Sequence, residues 1–315
     1  MRLTRREVLA GSVAAVAALP ESASALRPLL PQRRLGRTGA HVSLLGIGCA
    51  PLGGPTSFAD AAAVVNAALD AGITYVDVSP DYGNAEAKLQ PVLATRRHEL
   101  FLVTKVNPNR PDSSGVVAQI EESLKRIGTD HLDLVHIHNL GDWNMAEVFT
   151  DGGALGGLRE AKRRGLIRFI GASGHSRPWR FPEAIKTGEV DVVMNALNFV
   201  DRANYPFEDE TLPAAGKAGV GVVAMKVLGG AVGWQYDGKH PGCLAAYHSN
   251  AIRYSLGLPG VACAVVGMSS VAEVQAACAV AKSYRPLSGA ERDALLATGR
   301  QLAGGRTAYY GPVSG

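Results

Sequence analysis

Eight short runs rich in β-branched and aromatic residues recur along this chain, at 44–49, 73–78, 100–105, 132–138, 167–172, 190–196, 220–225 and 263–266. Helical periodicity fills most of the gaps between them, at 58–71, from 85 to about 93, 116–127, 155–164, 211–217, 244–256 and 271–281. An alternation repeated this often predicts parallel strands, and eight units favour a closed (β/α)8 TIM barrel over an open doubly wound sheet. The open dinucleotide-binding sheet also lacks its motif, because Gly46-Ile-Gly48 meets Pro51 where the third glycine of G-x-G-x-x-G would stand. Residues 33–43 read as two short strands about an Arg-Thr-Gly turn, a hairpin ahead of the barrel, and residues 288–302 as one extra helix at its end.

A chain of 315 residues with 47% hydrophobic content can bury a core of this size as one domain. Its formal charge of +4 is too mild to suggest a nucleic-acid partner. Residues 1–25 resemble a twin-arginine export signal: Arg5-Arg6 precedes an Ala/Val-rich run, and Ala23-Ser24-Ala25 offers a cleavage site. That run is too short and too rich in alanine to make a stable membrane anchor. The resemblance implies a bacterial protein that folds in the cytoplasm, engages the Tat export machinery and ends in the periplasm. Residues 26–32 then form a linker and 33–315 the barrel. Cys49, Cys243, Cys263 and Cys278 show no C-x-x-C spacing, so neither a disulfide framework nor an iron–sulfur centre is expected, and no metal site is assigned.

In a barrel the C-terminal ends of the second, third and fourth strands share one sector of the mouth. They bring together Asp77, which ends a strand broken by Ser79-Pro80, Tyr82 on the loop beyond, Lys105 and His138. A lysine closing the apolar run 100–105 needs a carboxylate partner, and Asp77 supplies one. A phenol beside an ammonium is expected to have its pKa lowered and to serve as a general acid, while a neutral His138 donates a hydrogen bond to the same substrate oxygen. These groups stabilise an oxyanion forming on a carbonyl but hold no electron source, so hydride must come from a cofactor, naturally a nicotinamide.

On these residues the chain resembles the aldo-keto reductase superfamily from about Arg33 to Ala281. The likeness is carried by Arg34-Leu-Gly-Arg-Thr-Gly39, the 72–86 stretch with its Asp-x4-Tyr-Gly, Val103-Thr-Lys105, the run 132–138 and Ile170-Gly-Ala-Ser173-Gly174-His175. It implies reduction of an aldehyde or ketone with NADP (NAD possible), with Tyr82 as acid, Lys105 and Asp77 tuning it and His138 orienting the carbonyl. Ser173 matches the family's carboxamide-binding serine. Gly174 stands where an asparagine is usual, Met194 where a glutamine is usual and Met225 where a stacking aromatic is usual. Lys226 follows Met225. Leu228-Gly229-Gly230 and Gly267-Met-Ser269-Ser270 fit a barrel phosphate site or, on the plainer reading, ordinary glycine turns. No basic residue near Ser269 stands ready for an adenosine 2′-phosphate, so the preference for NADP is inherited from the family.

Two other readings stay open. His136 and His138 are two apart on one strand and both point inward, as in metal-dependent barrel hydrolases, although His136 reads better as a core histidine bonded to its neighbours. The departures at 174, 194 and 225 would also suit a nicotinamide-binding subunit without turnover. Substrate choice is expected from residues 139–153, 227–242 and the tail after Gly304, with Trp143, Trp234, Tyr236, Tyr309 and Tyr310 as their aromatics.

Overall fold

Two interior surfaces organise the molecule, one inside a ring of strands and one between that ring and a jacket of helices. The computed structural model describes residues 30–231 and 242–313; the export-signal segment 1–25 lies outside them. A hairpin of β1 (Gln32–Arg34) and β2 (His41–Ser43) comes first. The ring follows as β3 (Leu45–Gly48), β4 (Tyr75–Asp77), β5 (Phe101–Val106), β6 (Leu132–Ile137), β7 (Ile167–Gly174), β8 (Val192–Ala196), β9 (Gly221–Met225) and β10 (Val261–Gly267). Each strand pairs in parallel with the next and β10 closes on β3, so the barrel expected from the alternation is the fold.

Side chains alternate across the pleat, which sends Tyr75, Val103, Leu134, Met194, Val223, Met225 and Val265 inward to one cluster. Leu35 and Val42 of the hairpin join that cluster, fully buried, and plug the end of the barrel opposite the site. The outer cluster is sealed by α1 (Phe58–Asp70), α2 (Ala85–Arg96), α3 (Ser113–Ile127), α4 (Met145–Val148), α5 (Ala154–Arg163), α6 (Arg180–Lys186), α7 (Phe207–Ala218), α8 (His248–Leu256), α9 (Val271–Lys282) and α10 (Gly289–Ala303). Local signals explain their ends. Ser57, Asp112 and Ser270 cap α1, α3 and α9 by accepting from backbone N–H groups, and Ser288 with Glu291 forms a reciprocal capping box on α10.

The fifth barrel unit carries a helix that periodicity does not announce. α6 is seven residues long with Pro182 in its first turn, too short to display a 3.6-residue stripe. It is held by packing: Phe181 is fully buried edge-on to Phe207. Among the described residues no helix is long and apolar enough to cross a membrane.

Candidate active site

β4 and β5 lie side by side, and at their C-terminal ends the Lys105 ammonium spends its donors on both Asp77 carboxylate oxygens, at 2.8 and 2.9 Å, and on the Val78 carbonyl at 2.8 Å. Both side chains are almost fully buried, 1% and 3% exposed, so the ion pair is rigid and its desolvation is offset by three hydrogen bonds. Tyr82 lies over it, with the ammonium 4.8 Å from its ring centroid. The ammonium therefore meets the face of the ring, as a cation–π contact. The expected lowering of the phenol's pKa is not what results: burial first, then the Asp77 and Asp81 charges, push Tyr82 well above its ordinary value. The resting group is a firmly protonated phenol.

The loop that carries Tyr82 is locked by a close backbone approach. A Cβ at Gly53 would stand 1.8 Å from the Tyr82 carbonyl oxygen, so only glycine fits beneath it, and the Asn84 N–H donates to the Gly53 carbonyl. Lys88, buried in α2, donates to the Leu52 and Gly54 carbonyls and fixes that second loop in turn.

His138 follows β6 directly and stays in the ladder through its N–H, which donates to the Val106 carbonyl. Its Nδ1 faces two oxygens, Asn107 Oδ1 at 3.2 Å and Asp81 Oδ2 at 3.4 Å. A nitrogen between two acceptors carries the proton, so the neutral ring keeps a bare Nε2 that accepts a hydrogen bond. Donation from Nε2 requires the imidazolium. Burial lowers the His138 pKa, and the hydrogen-bonded Asp81 opposes the fall. Asp81, whose own pKa is lowered chiefly by that hydrogen bond, belongs to the site although no motif marked it.

His136 sits one layer deeper in the core, fully buried, with burial first and the Lys105 charge next holding it neutral, while a hydrogen bond to the Ala172 backbone opposes the shift. Among the described residues no cluster of three or more His, Cys, Asp or Glu could hold a metal ion.

An open cleft runs from Asp77 and Tyr82 across the barrel mouth, past Met194 and Met225, to the loops after β9 and β10. Lys226, Leu228, Gly267 and Ser269 also line it. Four other expected cofactor residues do not. Ser173 is fully buried below the floor, Ser270 is turned to cap α9, and Gly229 backs onto Cys243, whose sulfur is 2.4 Å from where a Cβ would stand. Gly174 faces Asn139 Oδ1 and the Phe181 ring, 2.6 and 2.9 Å from its absent Cβ, so there is no room for the family's asparagine. Asn195 points away from Met194 and donates weakly to the Gly174 carbonyl, at 3.4 Å.

The groups present suit a nicotinamide. Ser173 Oγ is buried without a hydrogen-bond partner close to the floor of the cleft, a position that a carboxamide could satisfy. Lys226 adds a cation at the end of β9, in left-handed backbone (φ +53) unusual for a lysine; burial, then the Lys105 charge, lowers its pKa to about 8.

On the opposite side of the mouth an aromatic row leads from His138 through His175, edge-on at 6.3 Å, to Tyr310, stacked on His175 at 5.4 Å. Burial, then the neighbouring Lys226 charge, keeps His175 neutral. Of the aromatics expected to shape specificity, Trp143 is buried with its Nε1 donating to the His138 carbonyl, so it supports the site from behind. Trp234 and Tyr236 lie outside the described residues. Glu273 and His248, which also line the cleft, carried no site signal in sequence.

Comparison with known proteins places these features in context. A model described as the aldo/keto reductase family matches residues 44–243. The chain is 28% identical over 280 residues to L-galactose dehydrogenase of Arabidopsis thaliana, covering 77% of this chain and 85% of that one. It is 27% identical to D-threo-aldose 1-dehydrogenase of a Pseudomonas species, covering 65% and 71%. Among solved structures, the holo form of aldo-keto reductase AKR11C1 from Bacillus halodurans superposes with a TM-score of 0.70 at 26% identity, covering 84% and 95%.

Proposed function

Since the chain belongs to the aldo/keto reductase family, we propose that it interconverts a carbonyl compound and its alcohol with Tyr82 as the proton donor. The observation that supports this most strongly is the buried Asp77–Lys105 pair set against the face of Tyr82 at the head of the cleft.

A nicotinamide, when bound in the cleft, would supply the hydride for the carbonyl carbon. The chain's own groups handle the oxygen. As negative charge grows there, the Tyr82 hydroxyl transfers its proton, and the Lys105 ammonium over the ring face offsets part of the charge left on the phenolate. Asp77 keeps the lysine in place for that moment. A high resting pKa is no obstacle, since it keeps the phenol loaded with its proton and an alkoxide is a stronger base still. His138 aligns the substrate oxygen. As imidazolium, held by Asp81, it donates to a carbonyl; as the neutral ring, it accepts from the hydroxyl of an alcohol. Reduction therefore gains as pH falls toward the lowered His138 pKa, and oxidation gains above it.

The relatives named for an aldose and for L-galactose, with pyridoxal 4-dehydrogenase of Microbacterium luteolum at 29% identity, make sugars and aromatic aldehydes the first substrates to try. The test follows nicotinamide absorbance in both directions with L-galactose, a D-threo-aldose, pyridoxal and simple aldehydes and quinones. Turnover with at least one pair supports the reading. Binding of a nicotinamide without turnover of any would favour a cofactor-binding subunit instead.

A further inference from the structure

The cleft that starts at Tyr82 ends on a carboxylate. Glu273, third residue of α9 and solvent-exposed, bends back over the preceding loop, where its Oε2 accepts from the Ser269 backbone N–H at 2.6 Å and from the Ser269 hydroxyl at 3.0 Å. Its own N–H donates to Ser270 Oγ. A strand–loop–helix junction of this kind ordinarily turns its donors toward an external anion. Here the chain's own anion already holds them.

Nothing described around it reverses that charge. His248, the other titratable group at this end, is driven toward its neutral form by burial, with Glu273 working against the shift. Among the described residues lining the cleft, the one lysine or arginine is Lys226, which follows directly on Met225 beside the barrel floor. With its reacting ring beside Tyr82, a dinucleotide laid along the cleft would bring its adenosine half to the Glu273 end.

Resting on the nicotinamide reading above, we propose that Glu273 sets the cofactor preference of this enzyme toward NAD(H) and against NADP(H). A ribose 2′-hydroxyl can donate to a carboxylate, whereas a 2′-phosphate carries close to two negative charges near neutrality and must compete with Glu273 for the Ser269 donors. This reverses the NADP preference that family resemblance alone implies. The carboxylate is exposed, so solvent and salt screen the repulsion, and the preference is of moderate size and shrinks as ionic strength rises.

Binding, measured without any carbonyl substrate, tests it. The purified chain is titrated with NADH and with NADPH, by nucleotide fluorescence or calorimetry, as wild type, Glu273→Gln and Glu273→Arg, each with a melting curve to establish folding. Wild type is expected to bind NADH roughly ten- to a hundredfold tighter. The gap narrows to within about threefold in the glutamine variant and inverts in the arginine variant, as expected when a repulsive charge is removed and then reversed. Competition by ADP against adenosine 2′,5′-bisphosphate on wild type repeats the comparison without a substitution. NADPH bound as tightly as NADH by wild type, or an NADH preference unmoved in both folded variants, overturns the role of Glu273 and leaves the nicotinamide reading intact. No binding of either nucleotide by a cooperatively melting wild-type chain overturns both.

Discussion

Asp81 shows how one exposed carboxylate can tune a half-buried imidazole. It stands 3.4 Å from His138 Nδ1 and also accepts from Asn107 Nδ2, so it selects the tautomer and raises the ring's affinity for a proton against the pull of burial. Replacing Asp81 by asparagine removes that support. If imidazolium His138 holds the carbonyl, the limb along which kcat/KM for reduction falls with rising pH moves to lower pH in Asp81→Asn. The oxidation direction changes little above pH 7. An unshifted reduction limb would mean that His138 acts as a neutral group in both directions. Tyr82 carries a related lesson. A lysine at a strand end with an aspartate on the next strand was legible from residue type and order, because burying one charge demands the other. That the ammonium would meet the ring face, leaving a phenol whose pKa burial raises, depends on side-chain direction in three dimensions.

At the scale of elements, the C-terminal tail binds the loops of the mouth into one frame. Asp201, fully buried after β8, accepts from Arg306 Nε at 3.1 Å, the Tyr310 hydroxyl at 2.8 Å and Asn198 Nδ2 at 2.6 Å. Arg306 reaches on to the Gly229 carbonyl, and the Tyr309 hydroxyl donates to the Ala231 carbonyl, so the tail grips the loop after β9 that leads into the cleft. Asp201→Asn takes the charge from three of these contacts at once and is expected to cost about 2–5 kcal/mol of local stability, the range for breaking a buried, hydrogen-bonded charge network. Hydrogen exchange over residues 304–313 should accelerate while α3 stays protected, and KM for the nicotinamide should rise more than kcat falls. Equal exchange in wild type and variant would show that the tail is held by its aromatic packing alone. Little of this was readable beforehand. The tail offers no periodicity, and its hydrogen bonds reach back some hundred residues, to Asp201 and Tyr205.

For the whole molecule, eight strand repeats favoured closure without specifying it, since an open sheet covered on both faces shows the same alternation; the pairing of β10 with β3 is what closes the ring. The barrel positions were legible for the same reason that they are shared: Asp77, Lys105 and His138 sit at or next to successive strand ends. Which residues line the cleft was legible only in part. Met194, Met225, Lys226 and Ser269 do line the cleft, but Gly174 and Gly229 are spent on packing against Asn139, Phe181 and Cys243, a matter of side-chain volume that linear spacing does not record. Glu273, in the first turn of α9, gave no signal in sequence; that it lines the cleft emerges only from the folded chain. All of these parts serve one claim, that a phenol backed by a buried ion pair delivers the proton as hydride arrives. Replacing Tyr82 by phenylalanine removes that hydroxyl and leaves the ring, the ion pair and the cleft in place. With a substrate in hand, single-turnover hydride transfer in Tyr82→Phe should slow by roughly 10²- to 10⁴-fold while the nicotinamide dissociation constant stays within about threefold of wild type. Transfer at the wild-type rate would contradict the account.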